Sequence, residues 1–398
     1  MADNSSLSAA RSAKNDEFYT QYSDIEAEMN AYIEYNPYVF KDKTILLPCD
    51  DPEWSNFTKY FASNFTRLGI KKLISTSYAR SAGNRQLTLF ELNSPLYDEN
   101  KHETHGKLFT VTGDADASGG VDTNDVVFDG YLEGDGDFRS SEVTALRDEA
   151  DIIITNPPFS LFREFLAWMM AGKKQFVIIG NKNAITYKEV FPLLKENKMW
   201  VGYTPMSKDL LFSLPPEDEK RMLKSKKIGS SYRIVDGKVM GRSQSIWLTN
   251  IEHGKRHEEL RLMTIRENLK FNKKLIKRFI SDYGVAEYQS YENYDAIEIP
   301  FTEGIPSDYI GLMGVPITFL DKYNPDQFEL VGTSDNGILP DKYKITQGLT
   351  QEFVDDYYKA GGKGSYKAGN PTAGMYKNGT ASMIYKRLFI RHKRGGND

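Results

Sequence analysis

Short apolar runs alternate with an amphipathic helical segment near the start of the chain, and this alternation constrains the fold more than any other feature. Residues 43–49 form an apolar run that ends at Asp50-Asp51-Pro52, and residues 71–76 form a second such run. Between them, residues 55–68 place apolar side chains at helical spacing. A strand–helix–strand order is typical of a parallel sheet covered by helices. The sequence therefore predicts an α/β fold with a doubly wound, mostly parallel sheet.

The same alternation resumes after a polar interval. The further helices and strands predicted from apolar spacing cover residues 141–149, 151–155, 160–170, 175–180 and 245–251. Residues 80–134 are polar and irregular, which favours a surface hairpin or a long loop, and the charged residues 203–243 indicate an insertion. We therefore expect a disordered segment over residues 1–14, an α/β domain over 15–255, and an α+β region over 256–398.

The formal net charge of −4 is unevenly distributed along the chain. Acidic residues predominate between 91 and 151, whereas basic residues predominate between 253 and 280 and again between 386 and 394. An acidic first half followed by a basic second half favours binding of a polyanion by one face, with solvated helix faces as the alternative. The candidate phosphate-contacting side chains are Lys255, Arg256, Lys273, Lys274, Lys386 and Arg387.

Cys49 is the single cysteine of the chain. One thiol excludes an intramolecular disulfide framework and a multi-thiolate metal centre, and we assign no metal ligands. The apolar runs are far too short to cross a bilayer. The first 13 residues are polar and Ser-rich, without the apolar core of a secretion signal. These features predict a cytoplasmic protein with no membrane association.

One motif, Asn156-Pro157-Pro158-Phe159, directly follows the predicted strand 151–155. The lone pair of an exocyclic amine is delocalised into its ring, so the amine is a poor nucleophile until two acceptors bind its N–H groups. Asn156 supplies one acceptor and the carbonyl of Pro157 the second, because consecutive prolines hold a rigid extended turn. Phe159 offers a face on which an extruded base can stack. The motif predicts methylation of a planar amino group; a plain strand-ending turn is the alternative.

The chain resembles the EcoRI-type family of adenine-specific DNA methyltransferases. The stretches that carry the resemblance are residues 16–22, 49–52, 55–57, 134–140, 155–164, 179–181, 183–188, 247–251 and 313–325. It covers about residues 14–332, with gaps at 80–130, 205–243 and 262–290. The resemblance implies an S-adenosylmethionine-dependent methyltransferase fold in which residues 15–255 bind the cofactor and a flipped adenine. Residues 256–398 would then recognise the DNA target.

The resemblance also implies a set of cofactor contacts. They are Phe18, Tyr19 and Thr20 at the methionine end, Asp50 and Asp51 at the ammonium group, Asp137 and Phe138 at the adenine ring, and Asn156. The first turn, residues 48–56, contains no glycine, unlike the general methyltransferase pattern. The second strand ends in Ser75-Thr76-Ser77-Tyr78, without the acid that usually binds the ribose. The ribose partner is therefore left unassigned.

Motif and resemblance together predict a site-specific DNA adenine-N6 methyltransferase that acts on double-stranded DNA as a monomer. It would serve in a restriction–modification system with a cognate restriction endonuclease, or as an orphan modification enzyme. Two alternatives stay open. One is a methyltransferase acting on an RNA amine or a protein glutamine, and the other is a non-catalytic DNA-binding protein of the same fold.

Residues 114–125 have the ligand spacing of a twelve-residue calcium loop, with Gly119 at position 6. Position 12 is Asp125, where such loops carry Glu, and no helical pattern precedes the segment. A solvated hairpin tip is the favoured interpretation.

Overall fold

The structure is a computed structural model. It describes residues 19–50, 55–79, 94–214, 219–220, 223–224, 228–229, 232–335, 345 and 348–393, so the predicted disordered segment 1–14 lies outside the described residues. The chain divides into two compact units, one of residues 1–182 and 201–254, the other of residues 183–200 and 255–398. Residues 183–200, which the sequence assigned to the α/β domain, thus pack with the second unit.

The strands up to residue 254 form two sheets, and helices lie between them in the chain. The strands are β1 (Tyr19–Thr20), β2 (Thr44–Leu47), β3 (Lys72–Ser77), β4 (Lys107–Val111), β5 (Val127–Tyr131), β6 (Ile152–Thr155), β7 (Gln175–Asn181), β8 (Trp200–Val201), β9 (Leu210–Ser213), β10 (Tyr232–Val235), β11 (Lys238–Ser243) and β12 (Ser245–Thr249). The helices are α1 (Tyr22–Tyr35), α2 (Asn56–Ser63), α3 (Phe65–Leu68), α4 (Glu99–His102), α5 (Ser141–Glu149) and α6 (Phe162–Ala171).

The central sheet has eight strands in the order β5-β4-β3-β2-β6-β7-β12-β8. Strands β3, β2, β6 and β7 run parallel, and antiparallel pairings extend the sheet through β4 and β5 on one side and β12 on the other. The predicted α/β fold with a large, mostly parallel sheet is therefore confirmed. From β2 the chain continues to β3 on one side, and from β6 to β7 on the other. The carboxyl ends of β2 and β6 thus flank the switch point where such sheets bind ligands.

Local sequence explains the first strand–helix unit. Ser55 caps helix α2 by accepting a hydrogen bond from the backbone N–H of Phe57 at 3.1 Å. Gly69 ends helix α3 in the left-handed conformation, with φ of 63°. The apolar face of α2 is buried against the sheet, and Phe57 meets Trp247 of β12 edge to face with ring centroids 6.0 Å apart. The predicted helix over 55–68 is thus two consecutive helices.

The polar interval contains regular structure that the sequence did not indicate. Residues 107–131 supply strands β4 and β5, which extend the central sheet instead of forming an irregular surface loop. Alternate side chains of β4 are buried, and Phe109 packs against Phe128 of β5 with ring centroids 5.3 Å apart. Five-residue strands separated by an Asp- and Gly-rich segment gave too short an apolar pattern to stand out.

The insertion 203–243 contributes most of a second, antiparallel sheet with the order β1-β9-β11-β10. Its β9 pairs with β1, so Tyr19 lies opposite Ser213 and Thr20 opposite Phe212. The insertion therefore fixes the short N-terminal segment that the resemblance assigned to the cofactor.

The second unit combines a sheet, a hairpin and helices. Its strands are β13 (Ala296–Glu298), β14 (Leu312–Pro316), β15 (Phe328–Thr333), β16 (Gly374–Lys377), β17 (Thr380–Met383) and β18 (Arg387–His392), and its helices are α7 (Phe191–Lys195), α8 (Ile265–Phe271), α9 (Lys273–Tyr283) and α10 (Gln351–Lys359). Strands β13, β14, β18 and β15 form one sheet in that order. The β16–β17 hairpin turns at Asn378-Gly379, where both residues have positive φ. Among the described residues, no helix has the length and apolar character needed to cross a membrane.

Candidate active site

The Asn-Pro-Pro-Phe motif lies at the carboxyl end of β6, a strand whose four residues are all buried. Asn156 is half-buried, Pro157 is buried and Pro158 is half-buried. Pro158 has φ of −60° and ψ of 119°, the extended geometry expected of the motif, and a single 3₁₀ turn over Phe159–Leu161 then leads into α6. The motif thus sits at the switch point of the sheet.

The turn after β2 explains how the first loop can lack glycine. Cys49 has φ of 68°, in the left-handed region that glycine usually occupies. A non-glycine residue in this conformation costs about 1 kcal/mol or more, and it persists where surrounding contacts fix it. Cys49 therefore supplies the left-handed residue of this turn without a glycine.

Asp50, the next residue, is buried with 8% of its surface exposed. One carboxylate oxygen accepts from the hydroxyl of Ser55 at 2.9 Å, and the other lies 2.6 Å from the hydroxyl of Thr155. Its backbone N–H donates to Thr76 at 2.9 Å, and its carbonyl accepts from Ser75. Asp50 is thus held by β3, by β6 and by the first residues of α2. Asp51 lies outside the described residues.

The predicted adenine-binding segment, residues 134–138, docks against the end of β3. The backbone N–H of Ala79 donates to the carbonyl of Asp135 at 2.6 Å. Gly136 has φ of 82°, and its α-carbon lies so close to the carbonyl oxygen of Ser77 that a Cβ there would overlap it. Glycine at 136 is therefore required both by conformation and by space.

A cleft opens at these carboxyl ends. Its lining residues are Cys49, Tyr78, Gly136, Asp137, Phe138, Pro158, Ser160 and Leu161. The structure thus brings together the turn after β2, the predicted adenine-binding pair and Pro158 of the motif. Tyr78, Ser160 and Leu161 were not among the predicted site residues. Their positions in the sequence could have indicated them, because Tyr78 directly follows β3, and Ser160 and Leu161 directly follow the motif.

Asp137 and Phe138 reach the cleft from fixed positions. Phe138 is 2% exposed and packs edge to face on Phe165, with ring centroids 5.1 Å apart. The carboxylate of Asp137 accepts from the guanidinium of Arg139 through two nitrogens, at 2.9 and 2.6 Å, and Arg139 also pairs with Glu164. The hydrogen bonds that Arg139 donates raise its pKa above the ordinary value, and those to Asp137 have a larger effect than the one to Glu164.

The N-terminal segment is only partly described. Thr20 is buried, with 3% of its surface exposed, and its carbonyl accepts from the side-chain amide of Asn56 at 2.7 Å. Its buried hydroxyl has no hydrogen-bond partner among the described residues. Tyr19 contributes its backbone to β1, and Phe18 lies outside the described residues.

Two of the predicted DNA-contacting lysines lie on helix α9 with exposed side chains. Lys274 contacts the ring of Phe301 at 4.0 Å and Glu303 at 3.9 Å. Lys273 forms no ion pair with any described residue. Lys277, which was not selected from the sequence, is equally exposed and unpaired within the described part of the chain. Lys277 follows Lys273 by four residues, and this spacing places both side chains on the same face of a helix, which could have indicated Lys277.

The other predicted DNA contacts are engaged within the second unit. Arg387 forms an ion pair with Glu298 at 2.6 Å, with 13% and 5% of the two side chains exposed. Arg256 is 8% exposed and stacks on Trp200, 3.8 Å from the ring centroid. Burial leaves these two guanidinium groups little access to a phosphate. Lys386 pairs with Asp335 at 2.6 Å, and Lys255 is half-buried.

The calcium-like segment is organised by one buried carboxylate. Asp125 accepts from the backbone N–H groups of Ala115 at 2.6 Å, Asp116 at 3.2 Å and Asp122 at 2.7 Å. Carboxylate oxygens of Asp114 and Asp116 lie within 4.8 Å of it. The backbone bonds, that of Asp122 first, lower the pKa of Asp125. These bonds account for the loop's shape from within the chain.

Comparison with known proteins identifies the family. The family model described as adenine-specific methyltransferase EcoRI matches residues 6–393, well beyond the stretch in which the resemblance was apparent from the sequence. Type II methyltransferase M.EcoRI of Escherichia coli is 39% identical over 330 residues, which cover 83% of this chain and 89% of the relative. Type II methyltransferase M.MpnI of Mycoplasma pneumoniae is 32% identical over 81% of this chain and 83% of the relative.

A third relative, Type II methyltransferase M.MgeORF184P of Mycoplasma genitalium, is 33% identical over 81% of this chain and 84% of the relative. No solved structure matches the chain. The predicted resemblance is confirmed by the family model and by all three relatives. The chain therefore belongs to the EcoRI-type family of adenine-specific methyltransferases.

Proposed function

We propose that this member of the adenine-specific methyltransferase family transfers a methyl group from S-adenosylmethionine to N6 of an adenine flipped out of double-stranded DNA. The observation that carries the proposal is the convergence at one cleft of Pro158 from the motif, Asp137 and Phe138 from the adenine-binding segment, and Cys49 from the turn after β2. Acting on a base requires its removal from the stack, because the amine is otherwise out of reach.

We assign the cleft to the adenosine part of the cofactor. Phe138, Leu161 and Pro158 offer apolar surface to a flat ring, and Asp137 offers an acceptor for its amino group. Tyr78 directly follows β3, the strand whose end carries the ribose-binding acid in the general methyltransferase pattern. We therefore assign the ribose contact to Tyr78. Bound S-adenosylmethionine would supply an electrophilic methyl group carried on a sulfonium.

The methionine end of the cofactor would lie toward β1 and the turn after β2. The buried hydroxyl of Thr20, which has no partner among the described residues, is suited to its carboxylate. Asp50, whose carboxylate contacts the hydroxyls of Ser55 and Thr155, is assigned to the ammonium group of the cofactor. Phe18, Tyr19 and Asp51 stay as predictions from the resemblance.

Within the motif, the chain's own groups would activate the target amine. The side-chain carbonyl of Asn156 and the backbone carbonyl of Pro157 would each accept one N–H of the amine, which localises its lone pair. Phe159, the half-buried last residue of the motif, would stack against the flipped base. The prolines hold both acceptors in place, so little reorganisation is needed at the moment of transfer.

The phosphate backbone of the DNA would be bound by exposed basic side chains of the second unit. Lys273 and Lys277 on α9 are the strongest candidates, because no described residue neutralises them, and Lys274 lies beside them. We propose one DNA duplex and one copy of this chain as the working complex, in a Type II modification system like that of the relatives, with a cognate endonuclease.

The test is methyl transfer from tritium-labelled cofactor to duplex DNA by the wild type and by Asn156→Ala. We expect the variant to lose transfer, roughly 100-fold or more, while its cofactor affinity by calorimetry stays within about threefold, because Asn156 acts on the amine. Transfer by the variant at the wild-type rate would refute the role of Asn156. Single-stranded RNA and a glutamine-containing peptide, offered as acceptors beside the duplex, distinguish the alternative enzymes. Labelling of either with none in DNA would overturn the proposed substrate.

A further inference from the structure

The backbone ladder between β2 and β6 stops short of the active site. These strands pair only at Ile45 with Ile152 and at Leu46 with Ile153. On the other side of β6 the pairing with β7 continues to Thr155, opposite Ile178. The ladder between the two carboxyl ends that flank the switch point therefore ends before the motif begins.

The side chain of Thr155 spans this gap. Its hydroxyl lies 2.5 Å from the carbonyl oxygen of Pro48 and 2.6 Å from the carboxylate of Asp50. Thr155 is fully buried, so water does not compete for these contacts. A hydroxyl has one hydrogen, so it donates to one of these two acceptors at a time, and both acceptors belong to the turn after β2. The hydroxyl thus joins the residue before Asn156 to the turn after β2.

The far side of this contact is equally fixed. Asp50 is tied through its carboxylate to Ser55, which caps α2, and through its backbone to Thr76 of β3. A shift of the turn would therefore be transmitted to Thr155 and to its neighbour Asn156. Cys49, which lines the cleft, is next to Asp50 in the same turn.

We propose that Thr155 is a positioning residue for methyl transfer, whose hydroxyl sets the motif in register with the turn that flanks the cofactor cleft. This inference rests on the proposed function. Thr155 touches neither substrate in this role; it acts through Asp50 on one side and Asn156 on the other. Misplacing reacting groups by about 1 Å can cost a hundredfold in rate, so a bond of this kind is enough to affect the chemical step.

The test uses Thr155→Val, which keeps the branched shape and removes the hydroxyl. The readout is the single-turnover rate of methyl transfer with DNA and cofactor saturating, together with the cofactor Kd from calorimetry. We expect the rate to fall about 10- to 100-fold while Kd changes less than about threefold. Thr155→Ser, which restores the hydroxyl, should recover the rate to within a few-fold of the wild type.

Thr249→Val is the matched control. Thr249 is also fully buried in the central sheet, and its hydroxyl donates to the carbonyl of Phe176 at 2.7 Å, in the neighbouring strand β7. Its loss should lower the thermal midpoint and leave the rate of the folded enzyme unchanged. An equal loss of rate in both valine variants, or a Thr155→Val rate within twofold of the wild type, would overturn the positioning role. A wild-type enzyme without transfer to DNA would instead refute the proposed function.

The double variant Asp50→Asn/Thr155→Val adds a second, independent check. If the two side chains act through their mutual contact, the double variant should lose about as much rate as the worse single variant. Multiplication of the two single losses would show that they act separately and would contradict the inference.

Discussion

The α-carbon of Gly136 packs directly against the carbonyl oxygen of Ser77 at the end of β3. This contact seats the adenine-binding segment on the parallel strands and determines where Asp137 and Phe138 meet the cleft. The required positive φ and the absence of a Cβ are two separate constraints that only glycine satisfies here.

Gly136→Ala should therefore weaken cofactor binding roughly tenfold or more, because the added Cβ displaces the adenine-binding segment from the end of β3. A displacement that costs about 1.4 kcal/mol of binding free energy changes the affinity tenfold. Calorimetric titration with S-adenosylmethionine measures the change. Gly134→Ala is the control, because a Cβ there would meet only the carboxylate of Glu142 at 3.6 Å. Equal affinity of the two variants would contradict the steric account.

Replacing Lys273 and Lys277 together by Gln should weaken duplex binding and flatten its salt dependence. Each lost phosphate contact reduces the slope of log K against log salt by about 0.9. Fluorescence anisotropy at several salt concentrations gives the slope. Lys71→Gln is the matched control, because Lys71 is exposed and unpaired within the described residues but precedes β3 at its amino end. An unchanged slope in the double variant would exclude α9 from the DNA contact.

Arg387→Gln should destabilise the second unit by about 3–5 kcal/mol, because it leaves the buried carboxylate of Glu298 without its cation. Chemical denaturation measures the loss. Arg391, on the same strand, pairs with Glu329 at 2.7 Å, but both side chains are more than one-third exposed. Arg391→Gln should therefore change the free energy of unfolding by about 1 kcal/mol or less. Similar losses in the two variants would contradict the assigned burial.

Protection of the amide of Asp122 from hydrogen exchange should depend on the ionisation of Asp125. Backbone hydrogen bonds lower the pKa of this carboxyl below its ordinary value of 3.8 in the folded chain. The protection that ionised Asp125 gives to this amide is therefore fully present above pH 3.8. It is lost as the pH falls through the lower pKa of Asp125 in the folded chain. Asp125→Asn should show weaker protection at neutral pH and no such acid transition. A transition above pH 5 would contradict the direction of the shift.

The tertiary structure gives charged residues partners that the sequence did not indicate. Arg387 belonged to a basic run in the sequence, yet its partner Glu298 lies 89 positions earlier in the chain. Asp50 was assigned to the ammonium group of the cofactor, and its carboxylate contacts Thr155, which is 105 positions away. Sequence separations of this size leave no periodic pattern, so charge counts could not distinguish a buried partner from a free cation.

The sequence by itself determined the elements that depend on local physics. Apolar periodicity located β2, α2 and β6, because this signal acts within a few residues. Only the tertiary structure decided the order of strands, the addition of β4 and β5, and the left-handed conformation of Cys49. It also decided which hydroxyl joins the motif to the first turn. Each of these depends on contacts between distant segments, whose pairing is settled by burial and hydrogen bonding in the folded chain.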